Sequence, residues 1–171
     1  YKVSDGEIKW DKKNIKDEKE FCDLIGYLPQ YFEGLKELTV WENMEYFAHL
    51  KDLPNLQVKA RIEDSLKKVN LLENKDVKAK NLSGGMKRRL GIAQAILNNP
   101  RIIIFDEPTA GLDPKERLRF QNLISDYKNK ESITIISTHI VSDIETLCDY
   151  IIVMKKGKVL GLYEASELAN V

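Results

Sequence analysis

Ile102-Ile103-Ile104-Phe105 is apolar at every position and stops at Asp106-Glu107-Pro108. A strand with no polar alternation has to be covered on both faces, the situation of a strand inside a parallel sheet flanked by helices. Its end then delivers two adjacent carboxylates to the C-terminal edge of the sheet, where α/β proteins bind ligands. A first carboxylate there can hold Mg²⁺, directly or through water, while its neighbour orients or deprotonates the water that attacks a γ-phosphate. The plainer reading, a strand cap and turn, leaves two carboxylates to be desolvated without a partner.

Upstream lies Asn81-Leu82-Ser83-Gly84-Gly85-Met86-Lys87-Arg88-Arg89, and downstream Ala110-Gly111-Leu112-Asp113-Pro114. Ser83 sits where an N-cap belongs. Its hydroxyl and the bare N–H groups of Gly84 and Gly85 form an arrangement that binds phosphate at the positive end of a helix. Asp113 equally reads as the N-cap of a helix starting at Pro114. Lys87, Arg88 and Arg89 oppose the dipole at a helix start, which is tolerable where they face phosphates or a partner's carboxylates. The sequence contains no Gly-x-x-x-x-Gly-Lys-Ser/Thr segment, since Gly157-Lys158 is followed by Val159 and lacks the earlier glycine. Much of a nucleotide machine is present without the loop that grips the nucleotide.

The rest of the pattern is predicted as follows. Residues 8–10 and 25–28 read as short strands, with a polar helical segment around 16–22 between them. Thr39-x-x-Glu42 is a capping box that opens a helix with Val40, Met44, Phe47 and Ala48 on one face. A second helix follows Pro54, with Val58, Ile62, Leu66 and Val69 at helical spacing. Met86, Leu90, Ala93 and Leu97 give the helix behind Ser83 an apolar stripe, and Leu118, Leu123, Ile124 and Tyr127 do the same after Pro114. Residues 133–136 read as the next buried strand. A short helix over 142–148, a strand over 150–154, a turn at Lys155–Lys158, a strand over 159–163 and a closing helix over 164–169 complete the chain.

A chain of 171 residues, 43% hydrophobic, suffices for one domain with a core, and its 27 basic and 27 acidic residues cancel, which argues against a nucleic-acid partner. Cys22 and Cys148 match no metal or redox spacing and read as reduced, buried residues. No apolar run reaches the length of a membrane span, so any membrane role comes through a partner. His49, on the helix with Phe47, reads as structural.

These motifs resemble those of the ATP-binding cassette (ABC) ATPases, the motor subunits of ABC transporters. Leu82–Met86 is similar to the family's signature motif, residues 102–107 to its Walker B strand with the following glutamate, and Gly111-Leu112-Asp113 to its D-loop. Gln30, closing Ile25-Gly26-Tyr27-Leu28-Pro29-Gln30, resembles the Q-loop, and His139 in Ser137-Thr138-His139 the switch histidine. Order and spacing agree over nearly the whole chain. The departures are Met86-Lys87 in place of the commoner glutamine-containing signature, and the missing P-loop with the strand before it. The chain is therefore expected to be a C-terminal portion of such a protein.

The resemblance implies an α/β, P-loop NTPase-type, mostly parallel sheet interrupted by a helical subdomain. Residues 1–30 would belong to the ATPase core up to the Q-loop, 31–97 to the helical subdomain, and 98–171 to the core with Walker B, D-loop and switch histidine. It implies catalytic roles for Glu107, His139 and Gln30, and nucleotide contacts from Ser83, Gly84, Gly85 and Asp113. Asp106 and Gln30 would hold Mg²⁺, with ATP as the nucleotide. The implied partners are a second cassette packed head to tail, expected to be identical, and a transmembrane permease contacted by residues 31–40, with Phe32, Leu35 and Trp41 as apolar candidates. The implied location is the cytoplasmic face of the cell membrane. The signature style looks like that of bacterial exporters. The alternatives are a soluble ABC ATPase acting on ribosomes or DNA, or a fragment that is catalytically dead as it stands. In this fold the strand entering the P-loop lies between those at 133–136 and 150–154, so the two should not pair directly here.

Overall fold

A computed structural model describes residues 5–7, 9–10, 12–14, 18–127 and 132–168. The chain opens with an antiparallel ribbon of β1 (Lys9–Trp10) and β2 (Lys13–Asn14), followed by helix α1 (Glu18–Leu24) and strand β3 (Ile25–Leu28). Then come helices α2 (Val40–Leu50), α3 (Asn55–Lys68) and α4 (Gly84–Ile96), strand β4 (Ile102–Asp106), helix α5 (Pro114–Tyr127) and strand β5 (Ile133–Ser137). Helix α6 (Val141–Leu147), the hairpin of β6 (Tyr150–Lys155) and β7 (Lys158–Glu164), and α7 (Ala165–Leu168) end the described chain. No helix among the described residues is long and apolar enough to cross a membrane.

β3, β4 and β5 form a parallel sheet in that order, and the continuously apolar β4, predicted to be a buried strand of a parallel sheet, lies in the middle. The register pairs Ile25 with Ile102 and Asp106 with Ser137, so the ends of β4 and β5 lie side by side. α4 packs directly on β3. A Cβ at Gly26 would fall 2.0 Å from the Ala95 carbonyl oxygen, and one at Gly91 would lie 2.6 Å from Leu28 Cδ1, so strand and helix meet at a distance only glycine permits.

The helical layer carries its own core. The capping box forms: Glu42 N–H donates to Thr39 Oγ1 at 3.2 Å, and the Glu42 carboxylate accepts from Thr39 N–H at 2.7 Å. Val40, Met44, Ala48, Ile62, Leu66, Val69, Leu71 and Leu90 are buried against one another, and Phe47 and Val58 pack against them. The stripe predicted for α4 is too narrow, because Leu90 through Ile96 is buried all round the helix, between the other helices and the sheet. Asn43, also missed, is fully buried and ties down the preceding loop, donating to the carbonyls of Leu35, Leu38 and Thr39 while accepting from Leu35 N–H at 2.7 Å.

The C-terminal strands depart from expectation. β5 is not buried: Ile133 and Ile135 are each 50% exposed. Apolar periodicity marks a face that could be covered, and among the described residues no strand pairs with the edge of β5 away from β4. Among the described residues β6 and β7 pair only with each other, across a turn in which Lys156 and Gly157 both have positive φ, the geometry of a type I′ hairpin. As predicted, β5 and β6 do not pair. Leu118, placed on the buried face of α5, is 58% exposed, whereas Phe120, which was not singled out, is buried with its ring edge-on to Phe105 at 5.4 Å. Cys22 is on the surface rather than buried, Cys148 is half-buried beside the core, and His49 lies on the exposed side of α2. Ile8, residues 15–17 and Ala169 lie outside the described residues, as does the side chain of Tyr127.

Candidate functional site

The ends of β4 and β5 bring together Asp106, Glu107, Ser137 and His139. Ser137 Oγ donates to Asp106 Oδ1 at 2.5 Å, and the Glu107 N–H is shared between the Ser137 carbonyl at 3.0 Å and its hydroxyl at 3.2 Å. Glu107 Oε1 accepts from His139 Nδ1 at 2.9 Å. Glu107 is mostly buried while the imidazole is 76% exposed, so the pair has one side in protein and the other in open solvent. Glu107 Oε2 is buried and has no hydrogen-bond partner among the described residues.

Glu107 also has φ 46°, a left-handed conformation that costs a residue with a side chain about 1–2 kcal/mol. Such a residue persists only where its surroundings hold both of its peptide groups. Here they do. Its N–H is fixed by Ser137, and its carbonyl accepts from Arg88 Nη2 at 2.8 Å and from Ala110 N–H at 3.2 Å.

Ser83 caps α4, accepting from Met86 N–H at 3.2 Å, and Ser83 and Gly84 are exposed at the helix tip. A Cβ at Gly84 would meet nothing, so its backbone is open to approach; one at Gly85 would lie 3.1 Å from Glu116 Cγ on α5. Asp113 is the N-cap of α5, accepting from Glu116 N–H at 2.9 Å. Gln30 has an exposed side chain, and its carbonyl accepts from Arg88 Nη1 at 2.9 Å. An open groove runs between Gln30–Glu33, Gly84 and Ala110–Leu112. Carboxylates, histidine and serine thus converge at one strand edge, while Ser83–Gly85 forms a separate tip.

The basic triplet after Met86 is engaged by groups of the chain itself. Lys87 lies 4.0 Å from Glu33, and Arg89 pairs with Glu116 Oε2 at 3.5 Å and donates to the Asn70 carbonyl at 2.7 Å. Arg88 is buried, and among the described residues every polar contact it makes is to a main-chain carbonyl. Burial pushes its pKa down, the nearby Asp106 charge pushes it up, and the first effect is larger. The spacing of Arg88, Ile92 and Ala95 along one helical face was the signal that it turns inward. A second buried polar contact was also missed: the Thr109 hydroxyl donates to Asp143, which accepts from Gln121 Nε2 at 3.2 Å, joining the loop after Glu107 to α6. Of the apolar candidates for a permease contact, Phe32 and Trp41 pack against the helical core and Leu35 is exposed.

A parallel sheet with paired carboxylates at its edge, a helical layer inserted between β3 and β4, and a Ser-Gly-Gly helix tip define an α/β core of the P-loop NTPase type interrupted by a helical subdomain. The sequence matches the family profile for ABC transporters over residues 1–110. It is 37% identical over 145 residues to the uncharacterised ABC transporter ATP-binding protein YxlF of Bacillus subtilis, covering 85% of this chain and 49% of YxlF. It is 33% identical over 167 residues to the methionine import ATP-binding protein MetN of Clostridioides difficile, covering 97% and 51%. The solved structure of CbiO1 from Clostridium perfringens, part of the ABC transporter complex CbiONQ, superimposes with a TM-score of 0.84 at 30% identity, covering 98% of this chain and 69% of that one. The chain belongs to the ABC transporter family, and it spans about half the length of these curated relatives.

Proposed function

We propose that the whole protein is the ATP-hydrolysing motor subunit of an ABC transporter, working on a separate membrane permease. The observation that carries this reading is the Glu107–His139 hydrogen bond beside Asp106 and Ser137 at one strand edge. Glu107 is the general base for the attacking water, its carboxylate held at the strand end by the hydrogen bond from His139. His139 holds the carboxylate and reaches the γ-phosphate from its exposed side. Gln30, at the junction between sheet and helices, reports the γ-phosphate to the helical layer.

Asp106 and Gln30 would hold Mg²⁺, which would neutralise developing phosphate charge. Among the described residues no three His, Cys, Asp or Glu side chains gather as a cage. Mg²⁺ is held through one or two carboxylates with substrate phosphates and water, and Asp106 would supply the carboxylate here.

Ser83, Gly84 and Gly85 present a phosphate-binding helix tip, and with Asp113 they face the nucleotide of a second, identical cassette packed head to tail. The β-phosphate grip comes from a P-loop elsewhere in the protein, on a strand lying between β5 and the β6–β7 hairpin. Residues 31–97 form the helical subdomain, between core segments 1–30 and 98–171, and the loop 31–40 meets the permease at the inner face of the membrane. Names such as methionine import ATP-binding protein, and CbiO1's place in a transporter complex, support a permease partner over a ribosome or DNA. Co-purification with a membrane subunit tests that choice.

Glu107→Gln in the whole protein tests the catalytic assignment. It should leave ATP binding intact and slow hydrolysis by at least ~10²-fold, with an ATP-bound dimer accumulating. Unchanged turnover would remove Glu107 from the role. The sandwich is tested by mixing Ser83→Arg subunits with P-loop-dead subunits: a heterodimer that collects both lesions in one site keeps the other intact, so activity should return, and none should return if each site lies within one subunit.

A further inference from the structure

We infer that Arg88 is a positioning residue for hydrolysis, a buried guanidinium that locks the Gln30 segment to the Asp106–Pro108 turn and thereby sets where the Glu107 carboxylate points. The inference rests on the ATPase reading above and adds a residue to it.

The geometry uses the whole side chain. Nε donates to the Pro108 carbonyl at 2.8 Å, Nη1 to Pro29 and Gln30 at 2.8 and 2.9 Å, and Nη2 to Asp106 and Glu107 at 3.0 and 2.8 Å. Arginine has five N–H donors in a planar fork, and five carbonyls accept them. All five acceptors are main-chain oxygens of the two segments assigned to γ-phosphate sensing and water activation. A brace needed for stability alone has no reason to converge on these two. Lysine, a point charge with three donors on a flexible stem, cannot span both segments in a fixed plane.

The left-handed Glu107 shows what the brace holds. Ser137 fixes its N–H, so its carbonyl decides whether the following peptide stays or rotates, and Arg88 Nη2 is the shorter of the two bonds to that oxygen. Release of that bond lets the turn relax toward an ordinary conformation and moves the carboxylate away from His139. Misplacement by about 1 Å lowers rates by ~10²-fold without any loss of chemical groups.

The test is kinetic, in the whole protein assembled with its permease, on Arg88→Lys, Arg88→Met, Glu107→Gln and the Arg88→Lys/Glu107→Gln double variant. Arg88→Lys should lower kcat by ~10–100-fold with KM for MgATP within about threefold of the parent. In the Glu107→Gln background the same change should lower the residual rate by less than about threefold, because the group Arg88 aims is already gone. Full turnover in Arg88→Lys beside an inactive Glu107→Gln overturns this inference alone. So does a loss that multiplies in full in the double variant, or one confined to KM. Arg88→Met removes every donor; if both it and Arg88→Lys fail to fold, Arg88 serves stability only and the inference falls. Full turnover in Glu107→Gln overturns the ATPase assignment and this inference with it.

Discussion

Residues 39–97 and residues 133–164 are similarly rich in apolar side chains, yet the first segment hides them and the second displays them. In the helices, Val40, Met44, Ile62, Leu66 and Leu90 have no exposed surface and belong to one buried cluster with Leu28 of β3. In the strands, Ile133, Ile135, Ile152 and Leu162 face outward, and Ile152 is 62% exposed. A helix satisfies its backbone internally and needs only one covered face. A strand needs neighbours on both edges and layers on both faces, so its burial depends on what else the protein supplies. The helical layer therefore completes a core of its own, while the C-terminal strands keep much of their apolar surface exposed.

The largest effect that would break this contrast is catalytic. The chain of residues 1–171 alone should turn over no ATP, because neither the Ser83 tip nor the carboxylates replace the backbone cradle and lysine that hold the β- and γ-phosphates. Hydrolysis by material verified by mass to begin at Tyr1 would contradict this. Next comes packing. Leu66→Ala should cost about 2–5 kcal/mol in denaturant unfolding, as a buried truncation does, while Ile152→Ala should stay within about 0.5 kcal/mol in the same chain. If the two variants cost the same, the strands are covered in solution and the comparison fails. Native-state hydrogen exchange sharpens it: amides of α2 and α4 should be protected well beyond those of β6 and β7.

The smallest effect lies at the start of α2. Thr39→Ala should cost about 1 kcal/mol. The Thr39 N–H and hydroxyl hold the Glu42 carboxyl below its ordinary pKa, so its stabilising contribution is present above the unfolded value near ~4.3 and fades as pH falls through the lower folded value. The gap between parent and Thr39→Ala should therefore narrow in acid unfolding experiments below about pH 4.

What could be read from the sequence follows the same division. The capping box at Thr39, the caps at Ser83 and Asp113, the central strand β4 and the turn at Lys156–Gly157 are set by residues within a few positions of each other, and local chemistry suffices to find them. The carboxylates at the end of β4 were legible because a continuous apolar run ends on them. Arg88 was visible only as a charge opposing a dipole, since its five acceptors lie in two segments distant in sequence. Ser137 and the Thr109–Asp143 contact depend on β4–β5 register and on the docking of α6, which no local pattern encodes. The exposure of β5 was not legible for a converse reason: an apolar run marks a face suited to burial and does not say whether an element covers it.

Gly26 has a mechanical consequence. With the Ala95 carbonyl occupying the place of a Cβ, β3 and α4 cannot slide or roll on each other without a backbone clash, and Phe32 and Leu28 wedge the contact at Gly91. Strand and helix travel as one body, and Ser83 at the tip of α4 is carried in the frame of the sheet. Any turning of α2 and α3 has to be taken up in the connecting segments at 29–39 and 69–82, the joints of a lever whose fulcrum is a missing methyl group.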